Sequence, residues 1–283
     1  MDNVIAGIVL FNPNLDKLKN NIEGIYNQVN KIILIDNNSD NFNEVENLIL
    51  NHYKKQCIVI SNSKNKGIAF ALNQIMYEAN DNNYDWCLLL DQDSVSPLNL
   101  VSKLSKYSYL NDVGIISPSV QDKNSNKFLS HGQGEFQLVD QVITSGALYN
   151  TNIWNKIGRF DDNLFIDSVD FEYCYRIKVN GFKIIQVNNI VLAHELGNME
   201  EKQFFFWRVS VLNHSAFRKY YIIRNAIYFW KKHHHQSIIK VLLRIVKQYL
   251  IVLLFEQQKI HKFKAMNKGF FDGILMKVGG ILE

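Results

Sequence analysis

Trp86-Cys87-Leu88-Leu89-Leu90-Asp91-Gln92-Asp93-Ser94 decides how this chain is read. An apolar run of that length, ending in two carboxylates, predicts a buried strand that delivers acid groups to a sheet edge. In an open α/β sheet, ligands bind beyond the carboxyl ends of the strands. Two carboxylates one residue apart suit a hard divalent cation, and such a cation suits a diphosphate. The stretch points to metal-assisted chemistry on a nucleotide-linked substrate.

Upstream, the same strand-then-polar-end pattern recurs. Residues 4–10 form an apolar strand followed by the turn Asn12-Pro13-Asn14. Leu15, Leu18, Ile22, Ile25 and Val29 then recur at helical spacing. Residues 31–35 predict a second strand ending in Asp36-Asn37-Asn38-Ser39, with a helix from about Phe42. Residues 57–60 predict a third strand, and residues 61–67 a polar loop. Ile68, Ala71, Leu72, Ile75, Met76 and Ala79 make an amphipathic stripe. A βαβαβαβ order implies a mostly parallel sheet with right-handed crossovers. Its four polar strand ends share one edge, where one ligand can touch them together.

Downstream the pattern loosens. Strands are expected over 113–116, over 142–148 with a Gly break, over 182–187 and over 190–193, the last ending at His194. Helices are expected over 152–157 and over 167–179, the latter stopped by Asn180-Gly181. Residues 214–232 and 237–257 read as two long helices, the second amphipathic rather than spanning. His233-His234-His235 is a local run whose members face different ways on a helix, so it reads as surface rather than a metal site.

Three cysteines without paired spacing give neither a disulfide framework nor a zinc site. Cys57 and Cys87 sit in apolar runs and read as small buried hydrophobes, which fits a reducing cytoplasm. The N-terminus enters a strand without a basic region or cleavage site, so no signal peptide is expected. From Glu201 onward there are 15 Lys and Arg against 4 Asp and Glu, whereas the first 200 residues hold 16 against 23. A basic tail of this kind meets ligand phosphates, acidic lipid head groups or the acidic front half of a second subunit, or is simply solvated. Its charges are spread over apolar helices without a recognisable nucleic-acid module, which argues against nucleic acid.

Eight motifs in order resemble family-2 glycosyltransferases, within their bacterial dTDP-rhamnosyltransferase branch. They are Ile8-Val9-Leu10-Phe11-Asn12-Pro13, Ile35-Asp36-Asn37-Asn38-Ser39, Asn65-Lys66-Gly67-Ile68-Ala69, Leu90-Asp91-Gln92-Asp93-Ser94, Ser145-Gly146, Phe165-Ile166-Asp167-Ser168-Val169-Asp170-Phe171-Glu172, His194-Glu195-Leu196-Gly197 and Arg218-Lys219-Tyr220-Tyr221-Ile222-Ile223-Arg224-Asn225. The resemblance implies an α/β nucleotide-sugar-binding fold called GT-A, here over residues 1–212, with a basic helical extension over 213–283. It implies an inverting transfer that uses Mn²⁺ or Mg²⁺.

The resemblance also implies roles. Asp93 and His194 become metal ligands; Asp91 is expected at the ribose or sugar, or as a further ligand, with Gln92 beside the donor. Asp170 becomes the general base. Asp167, three residues earlier, is expected to cap the helix start, and Glu172 to pair with Arg176 four residues on. Asp36 resembles the acid that reads the nucleoside, with Asn38 and Asn65 adding polar contacts. Gly67 opens a helix whose N-terminus favours phosphate or sugar oxygens. Ser145-Gly146 is expected beneath the sugar. Arg218 and Arg224 are expected either on the donor diphosphate or knitting the tail to the core.

The expected donor is dTDP-L-rhamnose, by analogy with the branch, with UDP-galactofuranose as the close rival. The expected acceptor is a lipid-linked saccharide in capsule, O-antigen or cell-wall polysaccharide assembly, with the tail at an anionic inner leaflet. The apolar residues of 237–255 pack on the core, a second subunit or a membrane. A sugar nucleotidyltransferase would carry a Gly-rich basic loop after its first strand, and Leu10-Phe11-Asn12-Pro13-Asn14 is none. A non-catalytic binding protein would have no need of Asp93, Asp170 and His194 together.

Overall fold

Val-, Ile- and Leu-rich runs that are buried on both faces make parallel strands, because helices cover both sides of the sheet. The structure, a computed structural model, describes residues 3–123, 128–130, 132–194, 200–204, 207–234 and 237–278. The chain forms two compact units, one of residues 1–165 with 169–195 and the other of residues 166–168 with 196–283.

The first unit alternates β1 (Val4–Leu10), α1 (Leu15–Tyr26), β2 (Lys31–Asp36), α2 (Phe42–His52), β3 (Cys57–Ser61), α3 (Ile68–Asp81) and β4 (Trp86–Asp91). It continues through α4 (Leu100–Leu104), β5 (Val113–Asp122), β6 (Phe128–Ser130), β7 (Phe136–Leu138), β8 (Ala147–Asn150), α5 (Thr151–Ile157), α6 (Val169–Val179) and β9 (Lys183–His194). Among the described residues a nine-stranded sheet runs β3-β2-β1-β4-β8-β5-β9-β7, with β6 paired to β5. β1 pairs in parallel with both β2 and β4, so the strand order reverses between them. That reversal opens the crevice in which α/β folds bind ligands.

Helical starts follow from capping residues. Asn14 accepts from the Lys17 amide at the head of α1, and Asn150 accepts from Ile153 at the head of α5. The buried stripe of α1 is Leu18, Asn21, Ile22 and Ile25. The strand expected over 142–148 is instead the later β8, because Gly146 turns the chain at φ +81° and donates its amide to Leu89 O. A Cβ at Gly146 would lie 2.7 Å from Leu192 Cδ2. The two strands expected over 182–193 are one strand, β9, whose register against β5 shifts between Pro118 and Ser119.

The second unit holds a hairpin of β10 (Glu200–Phe204) and β11 (Trp207–Val211), then α7 (Ala216–His233), α8 (Ile238–Phe255) and α9 (Lys259–Leu275). The hairpin pairs only with itself among the described strands, which is why the unit starts before residue 213, where the sequence put the division. His235 of the histidine run lies outside the described residues. Ile223, Ile227, Val241, Ile245, Val252 and Met266 form this unit's core. The helix α9 was not foreseen, because lysines interrupt its apolar spacing. One of them, Lys262, is buried and ion-paired with Glu256 at 2.8 Å. The other Glu256 oxygen is 2.8 Å from buried Lys219. Gln248 accepts from Lys219 and Asn213 from Lys262. A Cβ at Gly269 or Gly273 would meet Tyr220 O at 2.4 Å or Arg224 O at 2.8 Å, so α7 and α9 pack backbone to backbone.

Burial opposes the charge of Glu256, but hydrogen bonds from both lysines hold its carboxyl below the ordinary range. Glu256→Gln would leave two buried ammonium groups without a counter-charge. It is expected to destabilise the fold by about 3–5 kcal/mol, read by denaturant unfolding. Burial pushes the His214 imidazole down to about 4, and Arg218 and Lys219 add to the effect. The unfolded chain then binds a proton that the folded chain refuses. Stability is expected to be full above about pH 6.5 and to fall as pH drops from there toward 4. His214→Gln should flatten a melting-temperature profile over that window.

Candidate active site

The polar strand ends gather at the crevice, and buried side chains fix their backbones. Asn21 Nδ2 of α1 donates to Asp91 O at 2.6 Å. The Asp91 amide donates to Ser145 Oγ at 3.2 Å, and Ser145 Oγ lies 2.6 Å from Ser94 Oγ. Both peptide groups of Asp91 are thus held by buried residues, which aims its side chain outward. That side chain is 50% exposed and stands 3.8 Å from His194 Nε2 at the end of β9. An antiparallel bridge between Val95 and Ala193 runs the chain beyond Asp93 back along the end of β9. The structure therefore brings Asp91 and the histidine together, whereas Asp93, expected as the main metal ligand, forms no three-ligand group with them among the described residues. Glu195, Leu196 and Gly197 lie outside the described residues.

Gln92 was expected at the donor. Its amide instead accepts from Phe11 N at 2.8 Å and donates to Phe11 O at 3.3 Å, mimicking one more rung between β1 and β4. Gly67 was expected to head a helix with open amides. Its own amide donates to Asn65 Oδ1 and the Ile68 amide donates to Phe165 O, so protein atoms already occupy both donors. With φ at +90° and Phe165 O 2.6 Å from where a Cβ would stand, the position needs glycine for backbone reasons. Asn65 is a local cap by the same bond. Ser145 Oγ supports the backbone of Asp91, and the adjoining Gly146 amide donates to Leu89 O.

At the end of β2, Asp36 is fully buried. Its Oδ2 accepts from the Asn38 and Ser39 amides, both at 3.0 Å. Its Oδ1 has no hydrogen-bond partner among the described residues. A buried acceptor left unpaired costs about 1–3 kcal/mol, so this atom is suited to a ligand's N–H or O–H donor. Asn38 is exposed in a left-handed turn at φ 68°. Asn37, Asn62 and Gln74 join side chain to side chain behind it, tying β2 to the loop before α3.

Asp170 lies in the first turn of α6. Burial pushes the Cys174 thiol up to about 12 and raises the Tyr149 phenol, and the negative charge of Asp170 adds to both. Glu172 pairs with Arg176 through three N–H···O contacts of 2.9–3.0 Å. The same guanidinium donates to the carbonyls of Ile157, Gly158 and Arg159. This knot anchors the helix that carries Asp170. A cavity of about 240 Å³ adjoins it, lined by Ser117, Pro118, Val120, Gln141, Val142, Ile143, Phe171 and Gln186.

Asp167 was expected to cap α6. Its backbone is left-handed at φ 64°, as is that of Ser168 at φ 66°, and its carboxylate accepts from Arg218 Nε and Nη2. Burial raises the Asp167 carboxyl, and Arg218 opposes that rise. Arg224 lies 4.6 Å over the Tyr221 ring and donates to Asn225 Oδ1. Both arginines are thus engaged within the second unit.

The donor set at Asp91 and His194 fits a divalent cation. Oxygen- and nitrogen-bound ions of this size sit about 2.1 Å from each ligand, so atoms 3.8 Å apart can share one. Among the described residues no third His, Cys, Asp or Glu completes the cluster. Of the three ligands expected from the sequence, only Asp91 and His194 are thus seen as a pair, and an ion there would take its remaining ligands from water and substrate phosphates.

The profile of the family described as Glycosyl transferase family 2 matches residues 6–185. The chain belongs to glycosyl transferase family 2. Its members' reaction class, glycosyl transfer, is therefore this chain's own. The dTDP-rhamnosyl transferase RfbF of Shigella flexneri is 26% identical over 98% of this chain and 97% of its own length. The mannosyltransferase PcManGT of Pyrobaculum calidifontis, solved with GDP-Man and Mn²⁺, superposes with TM-score 0.60 at 12% identity. That match covers 99% of this chain and 76% of the other. GalNAc-T7, solved with UDP, GalNAc and Mn²⁺, gives TM-score 0.62 at 14% identity over 82% of this chain. The chain spans about half of that protein, 48% of its length. The shared layout is the GT-A fold expected from the sequence.

Asn21 was missed by the sequence reading, although an Asn on the apolar stripe of α1 was the signal for it. Asn21→Leu keeps that stripe and removes the side-chain donor to Asp91 O, leaving the Ser94 amide at 3.2 Å. It is expected to cost about 1–3 kcal/mol in denaturant unfolding and to lower turnover, since the Asp91 side chain loses its fixed aim.

Proposed function

We propose that this family-2 enzyme moves L-rhamnose from dTDP-L-rhamnose to a saccharide hydroxyl with inversion, assisted by Mn²⁺ or Mg²⁺. The observation that carries the reading is the Asp91–His194 pair at the crevice, 3.8 Å apart. The rhamnosyl donor is supported by the relative from Shigella flexneri, aligned over nearly the whole of both chains. Metal use is supported by the donor set and by the Mn²⁺ of the two structural neighbours.

Asp91 and His194 would hold the cation. When bound, the ion neutralises charge on the departing diphosphate as a Lewis acid. Asp36 Oδ1 accepts a hydrogen bond from the nucleoside. The acceptor hydroxyl loses its proton to Asp170 as its oxygen attacks the anomeric carbon. Attack comes from the face opposite the diphosphate, whose oxygen leaves with the bonding electron pair. One displacement inverts that carbon, and no covalent enzyme intermediate is needed. The acceptor is a lipid-linked saccharide of a bacterial surface polysaccharide, presented at a membrane.

A panel of nucleotide sugars with Mn²⁺ or Mg²⁺ tests the donor through nucleoside diphosphate release. Release from dTDP-L-rhamnose is expected; turnover of UDP-galactofuranose with dTDP-L-rhamnose inert would replace this reading by its rival. Chelation should stop the reaction and added Mn²⁺ or Mg²⁺ restore it. Asp170→Asn should bind donor normally and lose about 10²–10⁴-fold in transfer rate. Undiminished transfer would remove Asp170 from the role of base.

A further inference from the structure

The helix α8 presents an apolar row to solvent along its whole length. Ile239, Leu243, Val246, Leu250, Leu253 and Leu254 are each between 47% and 64% exposed. At 100° per residue these six fall on one arc of about 100°. Lys247, Lys240 and Arg244, all exposed, fill the next ~60° of the same helix. The opposite face, Val241, Ile245 and Val252, is buried in the unit's own core. Scattered surface leucines need no explanation. A contiguous aliphatic row about 22 Å long on one helix face is the kind of exposed patch that marks an interaction surface.

We propose that this face of α8 docks on an anionic lipid bilayer, lying in the plane of the interface. The aliphatic arc enters the acyl boundary, and Lys240, Arg244 and Lys247 meet acidic head groups along one edge. No described helix is long and apolar enough to cross a membrane, so the face lies on the bilayer rather than through it. A second copy of the chain is the poorer occupant. An antiparallel twofold contact through this face would set the two basic edges side by side, where like charges oppose association, and a parallel one would leave both edges without an anionic partner. An acidic lipid surface satisfies both halves of the face. The proposal deepens the lipid-linked acceptor reading, and it holds whichever sugar is transferred.

The full chain is floated with vesicles of phosphatidylcholine, with and without phosphatidylglycerol, at low and high salt. Binding is expected on the acidic vesicles and to weaken with salt. Lys240→Gln/Arg244→Gln/Lys247→Gln should weaken it by about a hundredfold, since each such charge near the surface contributes ~1 kcal/mol. Leu243→Asp/Val246→Asp/Leu250→Asp should abolish it while thermal melting and transfer to a soluble acceptor are retained. Wild-type protein that ignores acidic vesicles overturns the proposal. So does a solution dimer that the Asp variant dissolves while vesicle binding is absent. Neither readout uses the donor, so a wrong sugar assignment leaves the vesicle result standing.

Discussion

The peptide groups of Asp91 are the fixed point of the first unit. Asn21 holds the carbonyl from α1, and Ser145 holds the amide from the turn before β8. Both holders are buried, so their own movement is restricted by the packed sheet and helix. A carboxylate that acts on a bound ligand must be aimed in advance, because a small error in placement costs much of the rate. The side chain faces His194 because the backbone behind it has no freedom. Gln92 completes the arrangement by closing the gap to β1, where the strand order reverses.

Much of the fold was legible because its signals are local. Four apolar runs with polar ends, separated by helical stripes, led to the parallel strands β1 to β4. The same runs indicated where Asp36 and Asp91 stand. The later half was less legible because tertiary contacts decide it. Gly146 sets where β8 begins, and β9 is continuous through a register shift that leaves no mark in the sequence. At the site, residue type pointed to the crevice but not to the partner of each atom. Gln92, Asn65 and Gly67 look like ligand contacts by composition, yet their polar groups bond to nearby backbone or to each other. Asp167 looks like a helix cap and is instead an anion for Arg218. Hydrogen-bond partners far apart in sequence, such as Asn21 and Asp91, have no periodic signature.

The basic surplus of the tail has two distinct physical uses. Lys219 and Lys262 face inward and share one carboxylate, Glu256, in a buried cluster that joins α7, α9 and the end of α8. A cluster of that kind adds little net stability compared with apolar packing, but it penalises any other arrangement of the helices. Lys240, Arg244 and Lys247 remain on the surface, beside an aliphatic row that water disfavours. Counting charges along the chain could not separate the two sets, because their difference is one of helix face.

Asn225 of α7 donates to the carbonyls of Ile166 and Asp167, and these residues immediately precede α6. The second unit therefore owns a three-residue loop inserted in the sequence of the first. A single cut between residues 168 and 218 separates that loop from Arg218 and Asn225. A fragment ending at residue 212 would keep the loop but lose both Asn225 and Arg218, its clamps. The sheet-bearing unit thus carries within its sequence a loop whose hydrogen-bond partners lie more than fifty residues further on.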